Sequence, residues 1–301
     1  MAKLIEFIPN FSEGRNAAVI DALTDTAKSV PGCTLLDVQS DENHNRCVFT
    51  MVGSPEGIEE VAFRLCKKAT ELIDMTKHHG QHPRMGATDV MPFVPTMDVT
   101  LEECVELSKR VAKRVWEELG VPSFLYEDSA TRPERRNLAK CRQGQFEGMP
   151  EKLLQPEWAP DFGERRIHPT AGICCIGARM PLIAYNINLD TPDIEVANKI
   201  AHAIRASSGG FKYCKAIGVK LEERNIAQVS MNLVNYEGTP IYYVFEMVRA
   251  LADRYGARII GSELVGLTPG KALFDCAEYY LKLENFDARR QVMEYHLIGM
   301  E

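Results

Sequence analysis

Residues 46–73 read RCVFTMVGSPEGIEEVAFRLCKKATELI. In the first half apolar side chains recur at every second position, which is the period of a strand with one buried face. At Ser54-Pro55 the period changes. Serine is a preferred helix N-cap and proline fits the first helical position, so a helix opens here. Ile58, Val61, Ala62, Leu65, Ala69, Leu72 and Ile73 then fall at helical spacing. Upstream, residues 4–9 read as a strand, 15–29 as a helix with Val19, Ile20 and Leu23 inward, and 33–38 as a second strand. Downstream, a short strand is expected within 88–95. The order is βαββαβ.

The same order recurs after residue 180. Strands are expected at 182–189, 213–220, 226–233 and 258–264. Thr191-Pro192 caps a helix running to about residue 206, and Thr239-Pro240 caps another with Ile241, Val244, Val248 and Leu251 inward. Between the two units, Thr100 and Glu103 form a capping box that opens a helix through Leu119, and 123–127 reads as a strand. Residues 128–172 are rich in Pro, Arg and Gly with little expected structure, a length more often functional than idle. A helix near 270–284 and a polar tail close the chain. The fold class expected is α+β, two tandem ferredoxin-like βαββαβ subdomains spanning 1–179 and 180–301. A chain of 301 residues also exceeds the usual size of one core.

Composition narrows the class. Apolar residues are 45% and charged residues 26%, an ordinary globular balance. No apolar run approaches the ~20 residues of a membrane span, and the first residues run into a strand rather than a signal peptide. Nine cysteines without CxxC pairing argue against a disulfide framework or a zinc site and for a reducing cytosol. The net charge of −7 gives nucleic-acid binding no global support.

Three places carry candidate chemistry. In 226–233, Ile226, Gln228, Ser230 and Asn232 share one face; in 182–189, Ala184, Asn186 and Asn188 do. Such amide-rich faces are either solvated or form a polar ligand groove. The segment 77–90, KHHGQHPRMGATDV, sets His78, His79 and His82 among Gly80, Gly86 and Pro83. It reads as a surface loop, a metal site lacking any zinc motif, or a site of proton transfer. The segment 159–172, APDFGERRIHPTAG, offers Arg165 and Arg166 to carboxylates or to solvent. Cys174-Cys175 reads as inert core, and there is no P-loop or dinucleotide-binding glycine signature.

Six stretches add a resemblance. IPNFSEG (8–14), GQHPRMGATDVMPFVP (80–95), WAPDFG (158–163), ARMPLIAYNINL (178–189), NIAQVSMNL (225–233) and GSELVGLTP (261–269) resemble, in order, the formiminotransferase half of formiminotransferase-cyclodeaminase. The resemblance implies two α+β subdomains whose sheets face one another across a substrate tunnel. It implies transfer of a formimino group from N-formimino-L-glutamate to N5 of tetrahydrofolate, with tetrahydrofolate as co-substrate and no metal. The family's catalytic histidine falls on His82. Its folate loop falls on Gly163, Glu164, Arg165, Arg166, Ile167, His168, Pro169, Thr170, Ala171 and Gly172. Asn186, Asn188, Gln228 and Asn232 become candidate acceptors for the formimino group, and Arg84, Arg165, Arg166 and Arg179 candidate partners of substrate carboxylates. His82 is expected to accept the N5 proton and return it to the leaving nitrogen, a role suited to the ordinary histidine pKa of ~6.5. A cytosolic homodimer without the cyclodeaminase half is expected, a separate enzyme then consuming the product. The chain departs from mammalian relatives in the ERRIHPTAG loop and at Gln39, where they carry aspartate. A non-catalytic folate-binding protein, a metal-dependent amidohydrolase, and a formyl- rather than formimino-transferring variant are the rival readings.

Overall fold

The computed structural model describes residues 3–297. The chain divides into two compact units, Met1–Arg179 and Met180–Glu301. In the first, the elements are β1 (Leu4–Phe7), β2 (Asn10–Phe11), α1 (Ala17–Lys28), β3 (Cys33–Asp41), β4 (Arg46–Gly53), α2 (Pro55–Leu72), β5 (Thr88–Met97), α3 (Leu101–Leu119), β6 (Ser123–Glu127), α4 (Leu138–Arg142), α5 (Gln145–Lys152) and β7 (Cys174–Ala178). In the second they are β8 (Ile183–Leu189), α6 (Ile194–Ile204), β9 (Cys214–Leu221), β10 (Ile226–Leu233), α7 (Ile241–Arg254), β11 (Ile259–Val265), α8 (Gly270–Leu281), α9 (Ala288–Gln291) and α10 (Glu294–Leu297). The protein is a mixed α+β structure with two sheets.

Local chemistry sets the helix starts in the first unit. The Ser54 hydroxyl accepts from the Gly57 amide, with Pro55 opening α2. Thr100 and Glu103 cap α3 reciprocally, as the capping box predicts. The strand expected over 4–9 ends at Phe7, and β2 follows after Ile8-Pro9; both pair antiparallel with β4 and β5. β3 lies outside β4, also antiparallel. β7 and then β6 extend the sheet beyond β5 in parallel. α1, α2 and α3 cover one face, burying Phe7, Phe11, Leu23, Phe49, Met51, Ile58, Leu65, Leu107 and Val111. A second cluster of Met85, Val90, Phe124, Tyr126, Cys141, Met149 and Cys175 brings β5, β6 and β7 together with α4 and α5. Along β4 burial alternates, so Arg46, Val48, Thr50 and Val52 form its half-buried side.

One expectation fails here, and one strand went unread. Residues 128–172 are not structureless: α4, α5 and 3₁₀ turns at Pro133–Arg136 and Pro156–Trp158 fill them. β7 is a strand that shows no alternation, because every one of its residues is buried.

In the second unit the sheet runs β11-β8-β10-β9, all antiparallel. Ile187, Leu189, Ile200, Ala227, Val229, Val244 and Val248 build its core. The N-cap of α6 is Asp193, whose carboxylate accepts from the Glu195 amide at 2.9 Å, not Thr191-Pro192. Thr191 turns its hydroxyl to the Asp193 amide instead. Thr239 likewise does not cap α7; its hydroxyl accepts from the Tyr213 amide. No helix among the described residues is long and apolar enough to cross a membrane.

Candidate active site

The chain leaves α2 through a 3₁₀ turn at Met75–Lys77 and reaches β5 by way of the 78–86 segment. Several bonds fix that segment. The buried His78 ring sets Nε2 against the Asn45 carbonyl at 2.9 Å and Nδ1 against Arg84 Nε at 3.1 Å. A carbonyl only accepts and a guanidinium only donates, so His78 is the neutral Nε2–H tautomer with both nitrogens engaged. Burial and the nearby Arg84 charge hold its pKa below the ordinary value. That geometry leaves His78 no lone pair for a metal. Asn45 also takes the Gly14 amide on Oδ1 and donates to the His79 carbonyl. It thereby ties IPNFSEG and the β3–β4 turn to the histidine loop. Gly80 packs where a Cβ would lie 2.3 Å from the His44 carbonyl, so no larger residue fits.

Arg84 is buried and spends all five donors inside the protein. Nε meets His78 Nδ1, Nη2 meets the His78 carbonyl and Glu147 Oε1, and Nη1 meets Gln145 Oε1 and Glu147 Oε2. It ties His78 to α5, and each of its N–H groups has an acceptor among the described residues, where the sequence led us to expect a substrate carboxylate.

His82 is half-buried. Its Nε2 lies 3.4 Å from Arg46 Nη1, and its amide faces the His44 carbonyl. The arginine can only donate, which makes Nε2 an acceptor and puts the proton on Nδ1. Burial first, then the Arg142, Arg46, His44 and His78 charges, push the His82 pKa down to about 3. The imidazole is neutral at physiological pH, but a far weaker base than the ordinary value promised. Arg142 is itself paired with buried Asp89, whose other oxygen accepts from the Met85 amide at 2.8 Å.

The 163–172 segment lies beside this loop. Gly86 bridges Gly172, the Ala87 amide donates to the Ala171 carbonyl and the Ile173 amide to the Met85 carbonyl. His168 and Gly172 exchange backbone bonds, and His168 Nδ1 accepts from the Ala171 amide at 3.0 Å, closing Pro169, Thr170 and Ala171 into a tight turn. Burial and Arg166 lower the His168 pKa. Glu164, Arg165 and Arg166 are exposed, with Arg166 paired to Glu164 at 2.7 Å; Ile167 is half-buried. Ahead of the turn, Asp161 is gripped by fully buried Arg135, Thr131 and the Leu125 amide. Gly163 has φ +119 and sits against Pro122, so this turn requires glycine. Arg179 lies elsewhere on the sheet. Its amide bonds to the Phe93 carbonyl, about 17 Å along β5 from Thr88 at ~3.3 Å per residue, and its charge acts on Glu6.

In the second unit the amides meet as their alternation implied. Gln228 pairs in register with Asn188, and Ser230 with Asn186. Buried Gln228 Nε2 donates to Asn188 Oδ1 at 2.8 Å and to Glu263 Oε1 at 2.7 Å, and Asn186 Nδ2 reaches the same carboxylate oxygen at 3.3 Å. Asn232 is exposed, between Ala184 and Lys215 in register. Sequence reasoning missed Glu263, because β11 is exposed at nearly every position and shows no alternation. It also missed Arg46, Arg142 and Asp89. Arg46 left one trace, a lone charge at the head of an otherwise apolar alternating strand.

Comparison with known proteins shows the family. The family model for the formiminotransferase domain, N-terminal subdomain, matches residues 4–179, and that for the formiminotransferase domain matches 184–298. The chain is 65% identical to a glutamate formimidoyltransferase of Streptococcus pyogenes serotype M1 over 99% of its own length and 100% of the relative's. It is 47% identical to one from Thermoplasma acidophilum over 94% of both chains. It is 49% identical to a formimidoyltransferase-cyclodeaminase of Gallus gallus over 94% of this chain, which spans 53% of that relative's length.

Proposed function

Because the chain belongs to the formiminotransferase family, we propose that it transfers the formimino group of N-formimino-L-glutamate to N5 of tetrahydrofolate, giving 5-formiminotetrahydrofolate and L-glutamate. One observation carries the mechanism: a half-buried neutral imidazole, His82, whose Nε2 lone pair points away from its own backbone toward Arg46. N5 attacks the formimino carbon and the new N5–C bond forms. His82 Nε2 takes the N5 proton. The tetrahedral intermediate then expels the glutamate nitrogen, which receives that proton as its bond to carbon breaks. Alignment of two bound substrates supplies the larger share of the acceleration, up to ~7–11 kcal/mol, and the proton shuttle ~10²–10⁴ in rate.

We read Gly163–Gly172 as the folate loop, supported by its bridge to the His82 segment. Asn186, Asn188, Gln228 and Asn232, joined by Glu263, are read as acceptors for the formimino group or the pterin donors. Each unit is read as a ferredoxin-like subdomain. In both, the strand first in sequence lies between the third and fourth, with the second outside the third: β3-β4-β1/β2-β5 and β9-β10-β8-β11.

Glutamate release from N-formiminoglutamate, with and without tetrahydrofolate, tests the reaction. Folate-dependent release is the expected result; release without folate indicates hydrolysis, and no release directs the assay to N-formylglutamate. His82→Ala is expected to lose turnover by ~10²–10⁴ with little change in substrate binding, and near wild-type turnover removes His82 from the mechanism.

A further inference from the structure

Among the described residues, Arg46 is the one charged group that hydrogen-bonds the His82 ring, and it has no ion-pair partner there. Nη1 is shared between Asn10 Oδ1 at 3.2 Å and His82 Nε2 at 3.4 Å. Nε is buried and meets no acceptor among the described residues, and Nη2 makes no hydrogen bond to one either. The guanidinium also forms no ion pair among the described residues. The nearby carboxylates are already claimed: Asp89 by Arg142 and the Met85 amide, Asp41 by His44. The Nε–Nη2 edge of an arginine is a fork that matches a carboxylate bidentately. A half-buried cation with that edge unanswered is unfavourable until an anion arrives.

We propose that Arg46 is the receptor for a carboxylate of the amino-acid substrate, and that taking this carboxylate draws the guanidinium off His82 Nε2 and so frees the base. The inference rests on the proposed transferase reading. Before substrate binds, the His82 lone pair is capped by an N–H donor. Burial first, then Arg142 from α4, Arg46 from β4, and His44 and His78 from the flanking turns oppose protonation there, while the carboxylates of Asp89 on β5 and Asp41 on β3 act on the Arg46 charge without pairing with it. A bound carboxylate cancels the Arg46 charge, uncaps Nε2 and favours the imidazolium that the transfer requires. Arg46 is thus a substrate-binding and positioning residue; His82 carries the proton.

Two measurements decide it. In the assay, Arg46→Gln is expected to raise KM for N-formiminoglutamate roughly 10- to 100-fold, the size of a lost charge-assisted bond to carboxylate. KM for tetrahydrofolate stays within a factor of about 2, and Arg46→Lys, which keeps charge but not the fork, recovers part of the loss. An unchanged glutamate KM overturns the proposal, and a selective rise in the tetrahydrofolate KM overturns it by assigning Arg46 to the folate tail. The second measurement needs no variant and stands if Arg46→Gln fails to fold. Imidazole NMR of the wild-type protein is expected to show the His82 pKa rising by roughly 1–3 units on saturation with L-glutamate; no rise overturns the proposal. Failure of the underlying reading looks different: no folate-dependent release by the wild-type protein, or full turnover in His82→Ala.

Discussion

Replacing Arg84 with methionine separates an anchoring role from a ligand-binding one. The side chain is 5% exposed and its five donors reach three residues. Methionine keeps most of the apolar volume and removes every donor. Two of the orphaned acceptors, His78 Nδ1 and the His78 carbonyl, lie in buried surroundings, and a buried polar group left unpaired costs ~1–3 kcal/mol. The Glu147 side chain is 63% exposed, so its loss of a partner is screened and adds ~0–1 kcal/mol. The expected destabilisation is therefore about 2–7 kcal/mol, read as a lower urea midpoint at unchanged m-value. Turnover should fall as well, because His78 anchors the segment that carries His82. A midpoint within ~0.5 kcal/mol of wild type, combined with a tenfold higher KM for N-formiminoglutamate, would refute this reasoning and return Arg84 to the substrate.

Gly86→Ala sets a Cβ 2.4 Å from the Ile173 carbonyl and 2.7 Å from that of Ala171. The backbone must shift, at a cost of ~1–3 kcal/mol in thermal stability, and the tetrahydrofolate KM should rise more than the N-formiminoglutamate KM because the shift displaces 163–172, the proposed folate loop. The pH dependence of stability follows from His82, held at about 3 by burial and the neighbouring positive charges. Above the ordinary value of ~6.5 neither folded nor unfolded chain carries this proton; below it the unfolded chain binds the proton and the folded chain refuses it. Stability contributed by His82 is thus lost as pH falls from ~6.5 toward 3, and urea midpoints of His82→Asn should fall less than wild type between pH 7 and about 4.5.

What was legible in the sequence is what local chemistry decides. Ser54-Pro55 and Thr100 with Glu103 announce their helices because the cap and the amide it satisfies are three residues apart. The amide face of β8 and β10 was legible because antiparallel pairing preserves alternation, so Gln228 meets Asn188 directly. β7 was not, since a parallel strand buried on both faces carries no period to read. α4 and α5 were hidden for another reason. Each is short, α5 contains Pro150, and α4 owes its end to Lys152, whose ammonium donates to the Lys140, Cys141 and Gln143 carbonyls. At the candidate site, His82 stood out by its setting, but the groups that set its chemistry did not. Arg46 comes from β4 and Arg142 from α4, and only the folded sheet brings their charges to bear on it.

That division bears on how the reaction is kept from water. An imidazole of ordinary basicity facing solvent would serve water as readily as N5. Here the fold weakens the base by burial first, then by the surrounding positive charge and by the Arg46 N–H directed at its lone pair. The last two effects are reversed by anions, and both substrates are anionic. N-formiminoglutamate carries two carboxylates, and the glutamyl tail of tetrahydrofolate carries more. On the proposed mechanism, proton-accepting power at Nε2 therefore rises with occupancy rather than standing ready in the free protein. The consequence is measurable in the pH profiles. kcat/KM, which reports the free protein, should show no acid limb near the ordinary histidine value, whereas kcat, which reports the complex, should show one displaced upward from 3. Coincident acid limbs in the two profiles would mean that substrate leaves the charge around His82 unchanged.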